Sequence, residues 1–455
     1  MAKRRRKKKP GGRLIQNRDG EEDAEPVVLP PLPAEIAEDI FLRLPIKSLA
    51  ASRCVSPSWN AFISSPIFAG RHHAAAAARA LAGPRFVSVH VDSNWHHQLA
   101  IVTPSETIPK PFFCGGCPRV FCGNGKPCRG AVLVGKPCEG EFFFCNPSTG
   151  GVLRLPPRRP PWYFLSAGLG YDAAGSGTYK AVLLERASGH PPPRWWVPRL
   201  QCVVATVGGA GHWRWRAPRG RKTPIICEDV VVSPRWDPVF ADGRLHWMLV
   251  SRAGTGEQQA GPLTGVLAFT LDSSESFARL PLPPFGSQSL PEHATLAELD
   301  GTLCLLRDLR RPRNAVALFE VWKLRDCSRS SSPSWSLDRR IDLTPHIGKE
   351  LRRPWEGDFF VVTSISSGNG SGEILLTTTT QRAYVFEPDT GELRTVATRN
   401  CSVPLRHMRH LLYQESLVQV QGMEYGNSDI EFTFADERAL GPAELFGLLY
   451  ALMGD

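Results

Sequence analysis

Prolines at 33, 45, 57 and 66 cut the segment from Leu32 to Phe68 into pieces too short for any long helix, and this punctuation constrains the fold more than any other feature. A proline ring fixes φ and removes an N–H donor, which suits the first turn of a helix and breaks its interior. A first helix is expected to begin at Pro33, with Glu35 and Glu38 complementing its positive end and Leu32, Ile36, Ile40 and Leu44 forming one apolar stripe. Pro45 stops it. A second is expected from a Ser48 cap through Leu49 to about Val55, and a third from Pro57 carrying Trp59, Phe62 and Ile63, with Pro66 ending the unit. Three helices in roughly 40 residues bury too little surface to stand alone, so the surplus apolar groups imply a partner.

The order Leu32-Pro33, Ile36 and Ile40, Arg43-Leu44-Pro45, Ser48-Leu49, Arg53, Val55, Trp59 and Ser65-Pro66-Ile67-Phe68 resembles the F-box. Ser56-Pro57 stands where many F-boxes carry Cys-Lys or Cys-Arg, and the basic residue usual near Ala51 is absent. The resemblance implies docking on a Skp-type adaptor, and through it on a cullin. The residues it assigns to that interface, or to the packing that shapes it, are Leu32, Pro33, Ile36, Ile40, Leu44, Pro45, Leu49, Val55 and Trp59. A helical hairpin capping the next domain is the alternative reading of the same residues.

Lys3, Arg4, Arg5, Arg6, Lys7, Lys8 and Lys9 supply seven of the net charge of +10, leaving a mildly basic body. Such a run reads as a solvated tail, a nuclear localisation signal or a nucleic-acid arm. Glu21, Glu22, Asp23 and Glu25 follow as an acidic counterweight. Pro10-Gly11-Gly12 leads from the basic run into polar residues without an apolar stretch, and no run of 18 apolar residues occurs, so neither a secretory signal nor a membrane span is expected. The expected location is nucleus or cytoplasm, with the twelve cysteines reduced and the Asn369-Gly370-Ser371 sequon unglycosylated.

Beyond an alanine-rich stretch from His72 to Ala82, expected to continue as a helix, the texture changes. Short β-branched and aromatic segments recur between Gly, Pro, Asn and Asp turns: Phe86 to Val91, Leu99 to Val102, Ala131 to Val134, Phe142 to Cys145, Tyr179 to Leu184, Leu245 to Val250, Val266 to Thr270, Ala317 to Trp322, Ile374 to Thr377 and Ala383 to Phe386. The 41 glycines and 40 prolines suit such turn-rich β architecture. Asn146-Pro147-Ser148-Thr149-Gly150 is echoed by Glu387-Pro388-Asp389-Thr390-Gly391 and loosely around Asp272, and Asp242-Gly243 by Asp300-Gly301, where Asp-Gly supplies the positive φ of tight hairpins. Loose repeats of this length predict a β-propeller of six to eight blades, with paired β-sandwiches as the alternative. Asn146 to Thr149, Gly170-Tyr171-Asp172 with Tyr179-Lys180, Gly243 to Trp247, Glu320-Val321-Trp322 and Tyr413 to Leu417 resemble, in order, the kelch-like F-box-associated propeller domain of plant F-box proteins.

Cys114, Cys117, Cys122 and Cys128 approach a zinc-knuckle spacing, but the Gly-Lys-Pro-Cys phrases ending at Cys128 and Cys138 look like a local duplication and no second Cys-x2-Cys closes the site; reduced loop thiols are expected. His407 and His410, like His72-His73 and His96-His97, lack the glutamate of a metalloprotease helix. Gly208-Gly209-Ala210-Gly211 lacks the context of a dinucleotide loop, and neither a phosphate loop nor a Gly-x-Ser-x-Gly elbow is present. No cofactor and no catalytic residue are expected. Arg194, Trp195, Trp196, Arg199, Trp213, Arg214 and Trp215 mix aromatic bulk with positive charge and are candidates for gripping an acidic or phosphorylated target, against the plainer reading of core tryptophans and solvated arginines.

The expected architecture is α+β and multidomain: a tail over 1–28, an F-box over 29–72, a helical linker over 73–84, an all-β propeller over 85–440 and a tail or short helix over 441–455. The expected function is the non-catalytic substrate receptor of an SCF-type ubiquitin ligase. A ligase-independent nuclear scaffold and a zinc- or nucleic-acid-binding regulator are the alternatives.

Overall fold

A computed structural model describes residues 33–79, 86–91, 97–102, 121–122, 126–136, 140–158, 164–187, 199–208, 213–220, 230–232, 237–251, 262–285, 294–310, 316–325, 333–349, 351, 362–367, 373–378, 382–398, 410–412, 415–425 and 430–434. The expected tails over 1–28 and 441–455, with the basic run, lie outside them, as do Leu32, Cys114, Cys117, Arg194, Trp195 and Trp196.

The described residues begin with four helices: α1 (Ala34–Arg43), α2 (Ile46–Ser52), α3 (Pro57–Ile63) and α4 (Pro66–Arg79). Two of the expected boundaries are corrected. Pro66 does not end the unit; it starts α4, and Ser65 Oγ accepts the Phe68 N–H at 3.2 Å. Ser48 does not cap α2; Pro45 stands at that N-cap, and the Ser48 carbonyl inside the helix accepts from Ser52 Oγ at 2.8 Å. The helix α4 runs unbroken through the boundary drawn between 72 and 73.

The β domain begins with β1 (Phe86–Val91) and β2 (His97–Val102). There follow β3 (Phe121–Cys122), β4 (Val132–Lys136), β5 (Glu141–Asn146) and β6 (Gly151–Arg154). Next come β7 (Phe164–Asp172), β8 (Thr178–Ala187) and β9 (Arg199–Val207). Then β10 (Val230–Val232), β11 (Val239–Ala241), β12 (Arg244–Ser251), β13 (Leu263–Thr270) and β14 (Phe277–Leu280). After these come β15 (Ala294–Leu299), β16 (Thr302–Asp308), β17 (Leu318–Arg325) and β18 (Ser334–Asp342). Last are β19 (Val362–Ser367), β20 (Ile374–Thr378), β21 (Arg382–Glu387), β22 (Glu392–Thr398), β23 (His410–Leu412), β24 (Glu424–Tyr425) and β25 (Ile430–Phe434). Every one of the predicted β segments falls on a strand.

Five sheets are meanders of neighbouring strands: β3 to β6 with β24 added, β7 to β9, β10 to β14, β15 to β18 and β19 to β22. Leading strands of successive sheets touch, β4 on β7, β7 on β11, β11 on β15 and β15 on β19, a serial order that belongs to a propeller and not to paired sandwiches. A sixth sheet, β23-β1-β2-β25, joins the two ends of the β domain and includes one parallel pairing, β2 with β25. The consecutive meanders therefore number five among the described residues, where strand spacing predicted six to eight blades. The shortfall has a simple cause: the five occupy the chain from 121 to 398, so each uses more residues than a short repeat would, and the terminal strands are shared in one sheet.

The sequence repeats acquire positions. Asn146 to Gly150 and Glu387 to Gly391 turn the third strand of a meander into the fourth, β5 into β6 and β21 into β22, and the Asp272 turn does the same between β13 and β14. The Asp-Gly phrases turn β11 into β12 and β15 into β16, with φ of 49° and 69° at Asp242 and Gly243 and 53° and 80° at Asp300 and Gly301. The core lies between sheets. Trp247 is fully buried, and its indole N–H, 3.1 Å from Ser166 Oγ, ties β12 to β7 of the preceding sheet.

Candidate functional site

The helical unit is organised around Phe41. Its ring meets Trp59 edge to face at 4.7 Å and lies 6.4 Å from Phe68, and with Ile46, Leu49 and Ile63 these residues form one buried cluster. Each such side chain contributes about 1.5–3 kcal/mol by burial. The expected stripe divides accordingly. Leu44 is half-buried beside Phe41, whereas Pro33 is exposed and Ile36 is 49% exposed. Ile40 is half-buried, Pro45 is exposed, Val55 and Trp59 are half-buried, and Leu49 is wholly buried, where it shapes the helix packing and presents no surface. Phe62, 37% exposed, and Ile67, 78% exposed, add apolar surface on α3 and α4. Singly exposed side chains of this kind are ordinary, but those of Pro33 and Ile36 share the outer side of α1.

Ser56-Pro57, the departure from the usual F-box dipeptide, starts α3. Ser56 Oγ accepts the Trp59 N–H at 3.2 Å and Pro57 occupies the first helical position, so the replacement supplies a cap and sets where Trp59 falls. Glu38 on α1 pairs with Arg71 on α4.

The cluster around Phe41 is not closed by the helices alone. Leu417, from the segment between β23 and β24, is buried within it. The same segment is held to the β domain by the turn after β5: Asn146 Nδ2 donates to the Ser416 and Val418 carbonyls at 2.8 and 2.9 Å, and Ser148 Oγ accepts the Ser416 N–H at 3.0 Å. His73 Nδ1 on α4 is 3.2 Å from the Glu415 carbonyl, and burial is the chief cause that lowers its pKa below the ordinary imidazole value. His72 is buried with Nε2 3.0 Å from the Leu44 carbonyl. Residues 415–425 thus form a strap that enters the helical core, crosses the turn at Asn146 and ends as β24 on β6. Two phrases remote in sequence, Asn146 to Thr149 and Glu415 to Leu417, meet there; nothing in their spacing signals the pairing.

The Trp-Arg segment has a different role where it is described. Trp215 donates its indole N–H to the Pro156 carbonyl at 2.7 Å and packs on Phe142, and Trp213 is half-buried in the same cluster. Gly422, at φ 82°, admits the Trp213 ring, since a Cβ there would stand 2.4 Å from it. Arg214 is exposed, Arg199 lies on β9, and Arg216 clamps Glu275 with contacts of 2.6 and 2.7 Å. Lys180 on β8 meets the same carboxylate at 2.9 Å, which joins two neighbouring sheets. Burial of Glu275 opposes its charge, yet the hydrogen bonds from Arg216, Lys180 and the Arg219 N–H hold its pKa at about 2.

Cys122 lies on β3, and Cys128 is buried with its thiol pKa pushed up by burial, an environment unlike that of a zinc thiolate. Among the described residues no group of three or more His, Cys, Asp or Glu side chains is placed to hold a metal ion, and no helix is long and apolar enough to cross a membrane.

The F-box domain family matches residues 29–69. An F-box/kelch-repeat protein of Arabidopsis thaliana is 51% identical over 41 residues, 9% of this chain and 11% of the relative. An F-box/LRR-repeat protein of the same plant is 25% identical over 71% of each chain. Two further F-box relatives from Arabidopsis thaliana, 26% and 30% identical, are each matched over only about half their length, 45% in both cases. Among solved structures, a DUF4784 family protein from Bacteroides caccae covers 72% of the chain at 12% identity with a TM-score of 0.35, a likeness too loose to carry an argument. Residues 29–69 thus match the F-box domain family, the described strands behind them form a propeller-like set of meanders, and the chain as a whole is similar to F-box and F-box/kelch-repeat proteins of Arabidopsis thaliana.

Proposed function

We propose that the chain is the substrate-recognition subunit of an SCF-type cullin-RING ubiquitin ligase. In this reading the helical unit docks on a Skp-type adaptor, and through it on a cullin, while the β domain holds the target protein. The observation that supports it most is the F-box match over 29–69, whose first helix presents Pro33 and Ile36 outward while Phe41 and Leu49 keep the unit folded. The chain performs no bond chemistry; it contributes proximity, raising the effective concentration of target lysines near a ubiquitin-charged enzyme.

The strap supports the same reading. A receptor has to hold its target at a set distance from the docking helices, and Leu417 inside the helical core leaves little freedom at that junction. In the same proposal Arg194, Trp195, Trp196, Arg199 and Arg214 contribute to target capture, and Lys3 to Lys9 direct the protein to the nucleus. Affinity purification of the intact protein under proteasome inhibition, alongside a Pro33→Ala, Ile36→Asp variant, tests the whole. Adaptor and cullin should be recovered with the wild type, adaptor and cullin alone should be lost from the variant, and recovery of neither from the wild type contradicts the proposal.

A further inference from the structure

Beneath α4, where β11 and β15 come together with the turn ahead of β4, lies a cavity of about 250 Å³. Its walls are largely apolar, and its polar groups are His73, Lys126, Arg129, Asp242 and Glu298. Most of this charge is already engaged. Lys126 pairs with one oxygen of Glu298, whose other oxygen accepts the Gly301 N–H at 2.6 Å, and Asp242 accepts the Leu303 N–H at 3.4 Å.

Arg129 differs. Its guanidinium lies 4.2 Å from the centre of the Tyr171 ring, and among the described residues no carboxylate pairs with it. Stacking leaves the planar N–H fork free to take an anion side-on. The Arg129 backbone sits at φ 50° because Arg129 and Gly130 are the two central residues of a tight turn closed by the Cys128–Ala131 hydrogen bonds of 2.8 and 3.0 Å, which fixes where the side chain leaves the chain. His73 spends Nδ1 on the Glu415 carbonyl and has no protein partner for Nε2 among the described residues. Burial is the chief cause that keeps the imidazole uncharged; its hydrogen bond to the Glu415 carbonyl opposes this, and the positive charges of Arg129 and Lys126 assist it.

We propose that this cavity binds a small organic anion, with Arg129 receiving its carboxylate or phosphate and the apolar strand walls covering the rest. About eight water volumes fit such a space at ~30 Å³ each, which suits a metabolite-sized ligand and excludes a folded peptide. Because His73 belongs to the helical unit and Arg129 to the β domain, an occupant would touch both. The site stands independently of adaptor docking.

The test is calorimetric titration of the full chain with inorganic phosphate and, separately, with succinate, two probes that distinguish phosphate from carboxylate recognition. Saturable one-to-one binding of at least one probe is expected, weakened about ten-fold or more by Arg129→Gln through loss of charge-assisted hydrogen bonds. Lys126→Gln should also weaken it by releasing Glu298 toward the ligand, and it leaves the Arg129–Tyr171 contact intact should the first variant fail to fold. No saturable binding of either probe, or unchanged affinity in every variant that folds, overturns the proposal.

Discussion

Asn146 and Ser416, 270 residues apart, are joined by a buried hydrogen bond of 2.8 Å from the Asn146 side-chain amide to the Ser416 carbonyl. The same amide reaches the Val418 carbonyl, and Asn146 Oδ1 accepts the Ser148 N–H at 2.9 Å, so one side chain shapes its own turn and anchors the strap. Replacing Asn146 with Ala leaves the buried Ser416 carbonyl and the half-buried Val418 carbonyl without this donor and should destabilise the fold by about 1–3 kcal/mol. Denaturant unfolding measures this, and a midpoint equal to wild type would show that the strap does not depend on Asn146.

Leu417→Ala should act at the other end of the strap. Leu417 is 3% exposed within the cluster around Phe41, so truncation opens a cavity at a cost of about 2–5 kcal/mol. The loss should fall on the helical unit first, seen as faster proteolytic release of the helices from the β domain. Equal cleavage rates in variant and wild type would mean that the helices hold together without the strap.

Glu275 predicts an acid limb in stability. Its pKa falls from an ordinary 4.5 to about 2 in the folded state, because Arg216, Lys180 and the Arg219 N–H outweigh the effect of burial. A depressed carboxylate contributes stability that is present above the unfolded value and lost as pH falls from about 4.5 toward 2. Glu275→Gln should lower the melting temperature at neutral pH and flatten this limb; a variant melting curve parallel to wild type between pH 5 and pH 3 would exclude the clamp as its source.

His246 adds an earlier limb. It is 1% exposed, its Nδ1 lies 3.3 Å from the Val239 carbonyl, and burial lowers its pKa from 6.5 to about 3. The neutral ring contributes stability above about pH 6.5 that is lost as pH falls below that value, since the unfolded chain takes up the proton first. His246→Asn should flatten the profile between pH 6.5 and pH 4, and an unaltered slope there would assign the limb to other groups.

What could be read in the sequence follows from how local each signal is. Proline punctuation and the four-residue stripe announce the helices, and alternating apolar segments announce the strands, because both depend on neighbours in the chain. Pro66 misleads because a proline ends one helix and begins the next with equal ease, and only the Ser65 cap decides. Phe41 escapes the stripe because it is one residue past Ile40, yet it is the ring that Trp59 and Phe68 pack against. The strap and the cavity depend on residues far apart in sequence, such as Asn146 with Ser416 and His73 with Arg129, for which no periodicity exists. Trp213 and Trp215 carry the composition of an interface while their rings are packed between elements.

The central claim is that the outer side of α1 docks a Skp-type adaptor. Co-purification of the full chain with a Skp-type adaptor, wild type against Leu32→Ala, Pro33→Ala and Ile36→Asp in combination, measures it directly. The predicted result is stoichiometric adaptor with the wild type and a loss of about ten-fold or more with the variant, given about 1.5–3 kcal/mol for each buried apolar anchor, while the β domain melts as before. Equal adaptor recovery from both proteins, or none from the folded wild type, would contradict it.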